Sequence, residues 1–302
     1  MQKIAISIGD LNGIGIELAL IAHEKINKIC KPVYIVDKNM LKKASKLLGL
    51  DIPDDFVTIN NIAKEFDIHP GEVCEKSGLY SYKSFLKAIW LAKNGEVDSI
   101  MTLPVNKEAW NRAGLEYKGH TDMLADIFNK NAIMMLGCEE MFVTLFTHHI
   151  PLKDVANKLN KKDLVKFLLD FYKNIDTNKI AVLGLNPHAG DGGSIGSEDY
   201  IINEAIQEAN KTLNKQIFEG PLVPDIAFSK DVRKKYKYFV AMYHDQGLIP
   251  LKALYFEQSI NVTLNLPIKR ASVDHGTAFD KAYKKANIST FSYVNAFKYL
   301  IL

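Results

Sequence analysis

Short apolar runs alternate with longer amphipathic stretches along this chain of 302 residues, and that alternation constrains the fold more than any other feature. Short apolar runs are typical of buried strands, and helical patterns between them are typical of an α/β protein with a largely parallel sheet. The strand-like runs lie at residues 4–8, 33–36, 98–102, 142–147, 180–185 and 238–243. Helical patterns lie at 78–94, 161–174 and 197–213.

The composition excludes several classes of protein. Hydrophobic residues make up 47% of the chain and charged residues 24%, which are the values of an ordinary globular protein. The 38 basic residues are balanced by 35 acidic ones and load no single face or tail, so we expect no nucleic-acid partner. The N-terminal apolar run is too short for a signal peptide, and no run is long enough to cross a bilayer. Three scattered cysteines without a C-x-x-C pair favour a reducing compartment, so the sequence predicts a cytoplasmic protein away from membranes.

Gly, His, Asn, Asp and Pro residues gather just after the strand-like runs. Because ligands of open parallel sheets bind at the carboxyl ends of the strands, this distribution favours an enzyme whose site is built from loops. The first cluster matches neither the dinucleotide fingerprint nor a phosphate-binding Walker A loop, so it is either a plain tight turn or a ligand contact. The clusters lie at residues 9–17, 102–107, 147–151, 185–196 and 243–252.

Three histidines, His149, His188 and His244, each follow a strand-like run and precede a turn. A single histidine in such a place is more often a hydrogen-bonded loop residue than a ligand. Three of them at one edge of a sheet favour a divalent metal site, because neutral imidazole is a common ligand and three leave a position open for substrate. Asp245 follows His244 directly and can either orient that imidazole or accept a proton.

Cationic and amide side chains gather toward the C-terminal part of the chain. Lys252, Asn261 and Arg270 together suit a phosphate or carboxylate, although each residue alone is ordinary surface polarity. The segment 119–122 contains His120 and Thr121 and is either a helix cap or a binding site.

Seven segments of the chain resemble the 4-hydroxythreonine-4-phosphate dehydrogenase family, and they occur in the family's order. The segments are GDLNGIGIE, TLPVNKEAW, GHTDMLA, THHIPL, GLNPHAGDGG, MYHDQGLIPLK and SVDHGTAFD. The resemblance extends from about residue 3 to about residue 282. It implies two α/β/α lobes like those of isocitrate and isopropylmalate dehydrogenases, with the active site in the cleft between them. We expect a discontinuous first lobe at 1–118 plus 272–302, and a second lobe at 119–271 with most of the metal and substrate residues.

The resemblance also assigns roles to residues. It implies that zinc, magnesium or cobalt binds to histidines drawn from both subunits of a homodimer with a shared active site, and that NAD or NADP is the second cofactor. Asp245 and Lys252 are the candidate catalytic residues, with Asp245 the candidate proton acceptor. The expected metal ligands are His149, His188 and His244; the expected substrate residues are His120, Thr121, Lys252, Asn261 and Arg270; the expected cofactor residues are Asp274, His275, Gly276 and Thr277.

The implied activity is the oxidation of 4-phosphohydroxy-L-threonine to 2-amino-3-oxo-4-phosphooxybutanoate, a β-keto acid. Loss of its carboxylate gives 3-amino-2-oxopropyl phosphate, which links the enzyme functionally to pyridoxine 5′-phosphate synthase. A paralogue acting on 4-phospho-D-threonate or 4-phospho-D-erythronate would retain the same residues. An acyl transferase similar to phosphate acetyltransferase and a non-catalytic binding protein are the alternatives from other classes. Around Lys281–Lys284 the family pattern fades, which leaves the choice between NAD and NADP open.

Overall fold

The computed structural model describes residues 1–302 and contains eleven strands and eleven helices. The strands are β1 (Lys3–Ser7), β2 (Lys31–Ile35), β3 (Thr58–Ile59), β4 (Ser99–Thr102), β5 (Ile133–Cys138), β6 (Met141–Leu145), β7 (Ile180–Leu183), β8 (Phe218–Leu222), β9 (Tyr238–Ala241), β10 (Ile260–Leu264) and β11 (Lys269–Val273). The helices are α1 (Gly15–Asn27), α2 (Lys38–Leu48), α3 (Glu75–Lys93), α4 (Lys107–Arg112), α5 (His120–Phe128), α6 (Val155–Lys158), α7 (Lys161–Tyr172), α8 (Glu198–Leu213), α9 (Lys230–Lys235), α10 (His244–Tyr255) and α11 (Phe291–Ile301). Every strand-like run and helical pattern found in the sequence corresponds to one of these elements.

The chain divides into two compact units, Met1–Ala132 with Ile260–Leu302, and Ile133–Ser259. The first unit is therefore discontinuous. Residues 119–132 and 260–271, which we expected in the second lobe, belong to this first unit. The reason is packing, because α5 inserts Met123 and Leu124 into the core around Phe85, and β10 pairs with β11.

The sheet of the first unit has the strand order β3-β2-β1-β4-β11-β10. All its pairs are parallel except β10 with β11. Adjacent residues of a strand point to opposite faces of the sheet, and helices cover both of these faces. On one face Ala5 and Ile100 pack with Phe85 of α3, and on the other Tyr34 contacts His23 of α1.

The sheet of the second unit has the order β5-β6-β9-β7-β8, in which only β5 and β6 are antiparallel. Phe239 belongs to a buried cluster with Leu248 and Leu251 of α10. The neighbouring Tyr238 points to the opposite face and packs edge-on against Phe171 of α7. Helices therefore cover both faces of this sheet as well, and the predicted α/β class is confirmed. No helix is both long and apolar enough to span a membrane.

Candidate active site

Arg270 is the most unusual polar side chain of the first unit, because it is almost completely buried and has no acidic partner. It lies on β11, beside Ile100 of β4 and opposite Thr263 of β10. Its Nε and Nη2 donate to Thr102 Oγ1 at 3.0 and 2.6 Å, and its Nη1 donates to Thr263 Oγ1 at 2.9 Å. Burial lowers the pKa of the guanidinium to about 9, so it stays charged at neutral pH. A buried cation held only by neutral hydroxyls is poorly compensated, and an anion would stabilise it.

His120 lies near this guanidinium at the first position of α5. Its ring packs edge-on against Phe85 and Trp110, with centroid separations of 4.6 and 5.7 Å. Burial, and then the charge of Arg270, hold the pKa of His120 well below its usual value, so the imidazole is neutral at physiological pH. Its Nε2 is buried without a hydrogen-bond partner, which is costly unless a ligand supplies one.

Thr121 and Asn261 complete the set of predicted substrate residues in the first unit. Thr121 Oγ1 is 3.3 Å from Thr263 Oγ1, so Thr121 is linked to Arg270 through Thr263. Asn261 lies on β10 opposite Ser272, and its Oδ1 is buried without a partner. Four of the five predicted substrate residues thus belong to the first unit, whereas we expected most of them in the second lobe.

Lys252, the fifth predicted substrate residue, lies on α10 of the second unit. Its Nζ is 5.4 Å from the ring centroid of Phe256.

Two of the three predicted metal ligands come together in the second unit. His149 follows β6 with a φ of 53°, His244 begins α10, and their ring centroids are 5.9 Å apart. Asp245 Oδ1 is 2.7 Å from His244 Nδ1. A carboxylate on Nδ1 favours the tautomer in which Nε2 carries a free lone pair, which is the arrangement found behind many metal-bound histidines.

His188 is presented by a left-handed turn at the end of β7. Residues 188–192 all have positive φ values, which are strained for the non-glycine members and are often found at functional sites. The turn is fixed by Asp199, whose carboxylate accepts from the backbone amides of Leu185 and Asn186 at 2.8 and 3.1 Å. Gln246 further ties the end of β7 to the end of β9, since it donates to Gly184 O and accepts from Met242 N.

The single chain does not gather all three histidines. No group of three or more His, Cys, Asp or Glu side chains is close enough to hold a metal ion. His149 and His244 are neighbouring imidazoles, and no third donor of these types completes a group with them. The donor set within one chain is therefore incomplete for a three-histidine site.

The predicted cofactor residues Asp274–Thr277 follow β11 and pack against the first loop of the chain. Ile14 N donates to Thr277 O at 3.0 Å, and a side chain at Gly13 would collide with Thr277. Tyr283, just beyond the predicted cofactor segment, donates to Leu11 O at 2.7 Å. The backbone around Gly276 is open, because no atom lies within 4 Å of the position that a Cβ would occupy there.

The carboxylate of Asp10 stabilises this first loop through two hydrogen bonds. It accepts from the amide of Asn12 at 2.9 Å and from the hydroxyl of Ser77. Burial raises the pKa of Asp10 to about 6.

Sequence reasoning missed Thr102 and Thr263, the two hydroxyls that hold Arg270. Thr102 stood at the start of one loop cluster, but nothing in its spacing indicated a guanidinium partner. Only the pairing of β4, β10 and β11 brings the three residues together.

The first unit thus contains a buried arginine without an acidic partner beside a neutral histidine, and the second unit contains two neighbouring imidazoles. The family model described as pyridoxal phosphate biosynthetic protein PdxA matches residues 28–300. The chain therefore belongs to the pyridoxal phosphate biosynthetic protein PdxA family.

Individual relatives agree with this assignment. A protein of Sulfurimonas denitrificans named 4-hydroxythreonine-4-phosphate dehydrogenase is 56% identical, over 98% of this chain and 96% of its own length. The crystal structure of a 4-hydroxythreonine-4-phosphate dehydrogenase from Klebsiella pneumoniae aligns with a TM-score of 0.83 at 30% identity, covering 100% of this chain and 99% of that one. A phosphotransacetylase from Streptococcus pyogenes is similar in fold alone, with a TM-score of 0.53 at 14% identity over 100% of this chain and 94% of that one.

Proposed function

We propose that this chain is an NAD(P)-linked, metal-dependent dehydrogenase that oxidises 4-phosphohydroxy-L-threonine in pyridoxal phosphate biosynthesis. The observation that carries the proposal is the buried guanidinium of Arg270, which has no acidic partner and lies beside the neutral His120. Such a site suits a phosphate monoester, and relatives of this chain are named for 4-hydroxythreonine-4-phosphate, which supports a phosphorylated substrate.

In this proposal the phosphate binds to Arg270, His120, Thr121 and Asn261, and Lys252 keeps its two expected roles in binding and catalysis. Because the phosphate is carried by the carbon next to the one that is oxidised and its own bonds do not change, these contacts position the hydroxyl rather than activate it. Asp274–Thr277 bind the nicotinamide nucleotide, where the open backbone at Gly276 lets a ligand approach closely.

The reaction moves a hydride from the carbon that carries the hydroxyl to the nicotinamide, and it releases the hydroxyl proton. The β-keto acid that results loses carbon dioxide, and a proton is added at the carbon that carried it. A divalent ion bound by the histidines would supply Lewis acidity to this chemistry. The hydrogen bond between Asp245 and His244 favours an orienting role for Asp245, with proton acceptance as the alternative.

The metal-binding set consists of His149 and His244 of one chain and His188 of a second copy. This arrangement accounts for the two imidazoles that lie together and for the third that does not. It requires a homodimer with shared active sites. Zinc, magnesium and cobalt remain candidates for the ion, and a cytoplasmic location and a link to pyridoxine 5′-phosphate synthase remain part of the proposal.

Turnover with a panel of substrates tests the activity. Formation of reduced nicotinamide is followed with 4-phosphohydroxy-L-threonine, 4-phospho-D-threonate and 4-phospho-D-erythronate, each with NAD or NADP and with or without chelator. We expect chelator-sensitive turnover that is fastest on the amino substrate. Turnover on the threonate or erythronate alone would assign the chain to a paralogous activity, and no turnover after metal is restored would refute a dehydrogenase. The fold-level similarity to a phosphotransacetylase gives no reason to prefer acyl transfer.

Subunit complementation tests the shared metal site. His188→Ala and His244→Ala should each abolish turnover while the far-ultraviolet circular dichroism stays unchanged, since both residues lie at the ends of elements. Mixed and reassociated, the two variants form heterodimers in which one of the two sites is intact, so about a quarter of the wild-type activity should return. No recovery in verified heterodimers would place all three ligands in one chain.

A further inference from the structure

The contacts with Arg270 determine which hydrogen bonds the hydroxyl of Thr102 accepts and which it can still donate. A threonine hydroxyl accepts through two lone pairs and donates one hydrogen, whereas a guanidinium can only donate. Two guanidinium nitrogens, Nε and Nη2, donate to Thr102 Oγ1 at 3.0 and 2.6 Å. Both lone pairs of the hydroxyl are therefore in use, and its hydrogen has to be donated to another atom.

No acceptor in the protein makes a hydrogen bond with that hydrogen. Thr102 is completely buried, and the two guanidinium nitrogens are the hydrogen-bond partners of its hydroxyl. In register beside it lie Ser7 of β1 and Ser272 of β11, whose side chains share its face of the sheet. Ser272 Oγ is 3.4 Å from the carbonyl of Asn261, and Ser7 Oγ is buried without a partner. A donor without an acceptor in the interior is costly, so a ligand atom is its natural partner.

Arg270 itself keeps donors for the same ligand. Of the roughly five N–H groups of a guanidinium, two point to Thr102 and one to Thr263. The remaining two belong one to each terminal nitrogen, and a guanidinium can bind an oxyanion through both of its terminal nitrogens. With the hydroxyl of Thr102, three donors are available. That number suits the three terminal oxygens of a phosphate monoester better than the two of a carboxylate.

We propose that Thr102 is a further substrate-positioning residue, which holds Arg270 through its Oγ1 and donates its own O–H to the phosphate that Arg270 binds. The assignment rests on the proposed function for the identity of the substrate. It does not rest on it for the anion site, because inorganic phosphate presents the same oxygens.

Three variants test the proposal. Thr102→Val removes the hydroxyl at nearly constant shape, Thr102→Ser retains it, and Thr144→Val is the matched control. Thr144 is a completely buried threonine of the second unit whose hydroxyl donates to the carbonyl of Met134 at 2.9 Å. The readouts are KM and kcat for the phosphorylated substrate and the Kd for inorganic phosphate, measured by calorimetry on the metal-loaded protein.

We expect Thr102→Val to raise both KM and the phosphate Kd about tenfold or more, as for a lost hydrogen bond to a charged group, with a much smaller change in kcat. Thr102→Ser should stay within about threefold of wild type, and so should Thr144→Val. Unchanged KM and Kd in Thr102→Val would overturn the proposal, and so would a wild-type protein that binds no phosphate. If Thr102→Val does not fold, Thr102→Cys, with its weak donor, is measured in the same way and should weaken phosphate binding.

A double-variant cycle separates direct donation from an effect transmitted through Arg270. In an Arg270→Met background, Thr102→Val should weaken phosphate binding further, about threefold or more, if the hydroxyl donates to the ligand. No further loss in that background would reduce Thr102 to a support for Arg270 and overturn the direct contact. Phosphate binding that depends on Thr102, together with no turnover on any substrate of the panel, would leave this inference standing while the proposed function failed.

Discussion

Replacement of Asp199 by alanine is expected to loosen the left-handed turn that carries His188 while the rest of the second unit stays folded. The Asp199 carboxylate is buried at the start of α8 and accepts from Leu185 N, Asn186 N and Asn186 Nδ2 at 2.8, 3.1 and 2.9 Å. A hydrogen bond to a charged group contributes about 1.5–3 kcal/mol. Three that share one carboxylate do not add fully, so we expect the opening free energy of this turn to fall by about 3 kcal/mol.

Hydrogen exchange of the backbone amides measures this change directly. A loss of about 3 kcal/mol corresponds to a roughly hundredfold loss of protection, because each factor of ten is worth about 1.4 kcal/mol. The effect should be confined to peptides that cover 184–197, while β9 and α10 keep their protection. Asp231→Ala is the control, because that carboxylate is 92% exposed and pairs only with the neighbouring Lys234. Unchanged exchange at 185 and 186 in Asp199→Ala would refute the view that this carboxylate holds the turn.

Three further substitutions test the local physics of the chain. Burial raises the pKa of Asp10 from 3.8 to about 6. The stability that its protonated form provides below pH ~4 should therefore be lost as the pH rises through 6, by about 3 kcal/mol. Urea unfolding at several pH values should show this slope for wild type and not for Asp10→Asn. The pKa of Glu219 is shifted in the opposite direction, because hydrogen bonds from Lys235 and then Tyr236 lower it from 4.5 to about 2. The stability that ionised Glu219 contributes should therefore be lost as the pH falls from 4.5 to about 2, and Glu219→Gln should show no such loss. Gly78→Ala should destabilise by about 1–3 kcal/mol in thermal or urea unfolding, against the usual gain for alanine in a helix, because its Cβ would collide with the backbone of Ala109. Gly276→Ala, where the space is open, should unfold like wild type, and equal stability of the two alanine variants would contradict the collision at Gly78.

The strands that the sequence reveals and those that it conceals differ in what their side chains face. Strands β1, β4, β6, β7 and β9 have both faces buried under helices, so they form apolar runs that are easy to find. Strands β10 and β11 read INVTL and KRASV, because Asn261, Thr263, Arg270 and Ser272 alternate with apolar residues. These polar residues share one face of the sheet with the guanidinium of Arg270, so the residues of the proposed substrate site disguise the two strands. Strand β8 is hidden for another reason, since FEGPL contains a glycine and a proline.

The domain boundaries depended on contacts that no local pattern contains. The expected passage into a second lobe at residue 119 followed from the fold that the resemblance implies. The helix that follows instead returns Met123 and Leu124 to the core of the first unit. Because α5 and β10 both remain with the first unit, four of the five predicted substrate residues belong to it, whereas Lys252 and the predicted metal residues belong to the second.

The predicted substrate residues could be proposed from the sequence because they lie in motifs that resemble those of a known family. The role of Thr102 could not, since a threonine at the end of a strand is ordinary, and its partner Arg270 is 168 residues away in the chain. What distinguishes this hydroxyl is the direction of its hydrogen, and that direction follows only when a group that cannot accept occupies both lone pairs. The register between β4 and β11 determines that contact, because it places Thr102 beside Ser272, which lies two residues after Arg270 and on the same face of the sheet. A shift of one residue would turn the guanidinium to the opposite face of the sheet, so the pairing of two strands decides whether Arg270 can contact Thr102 at all.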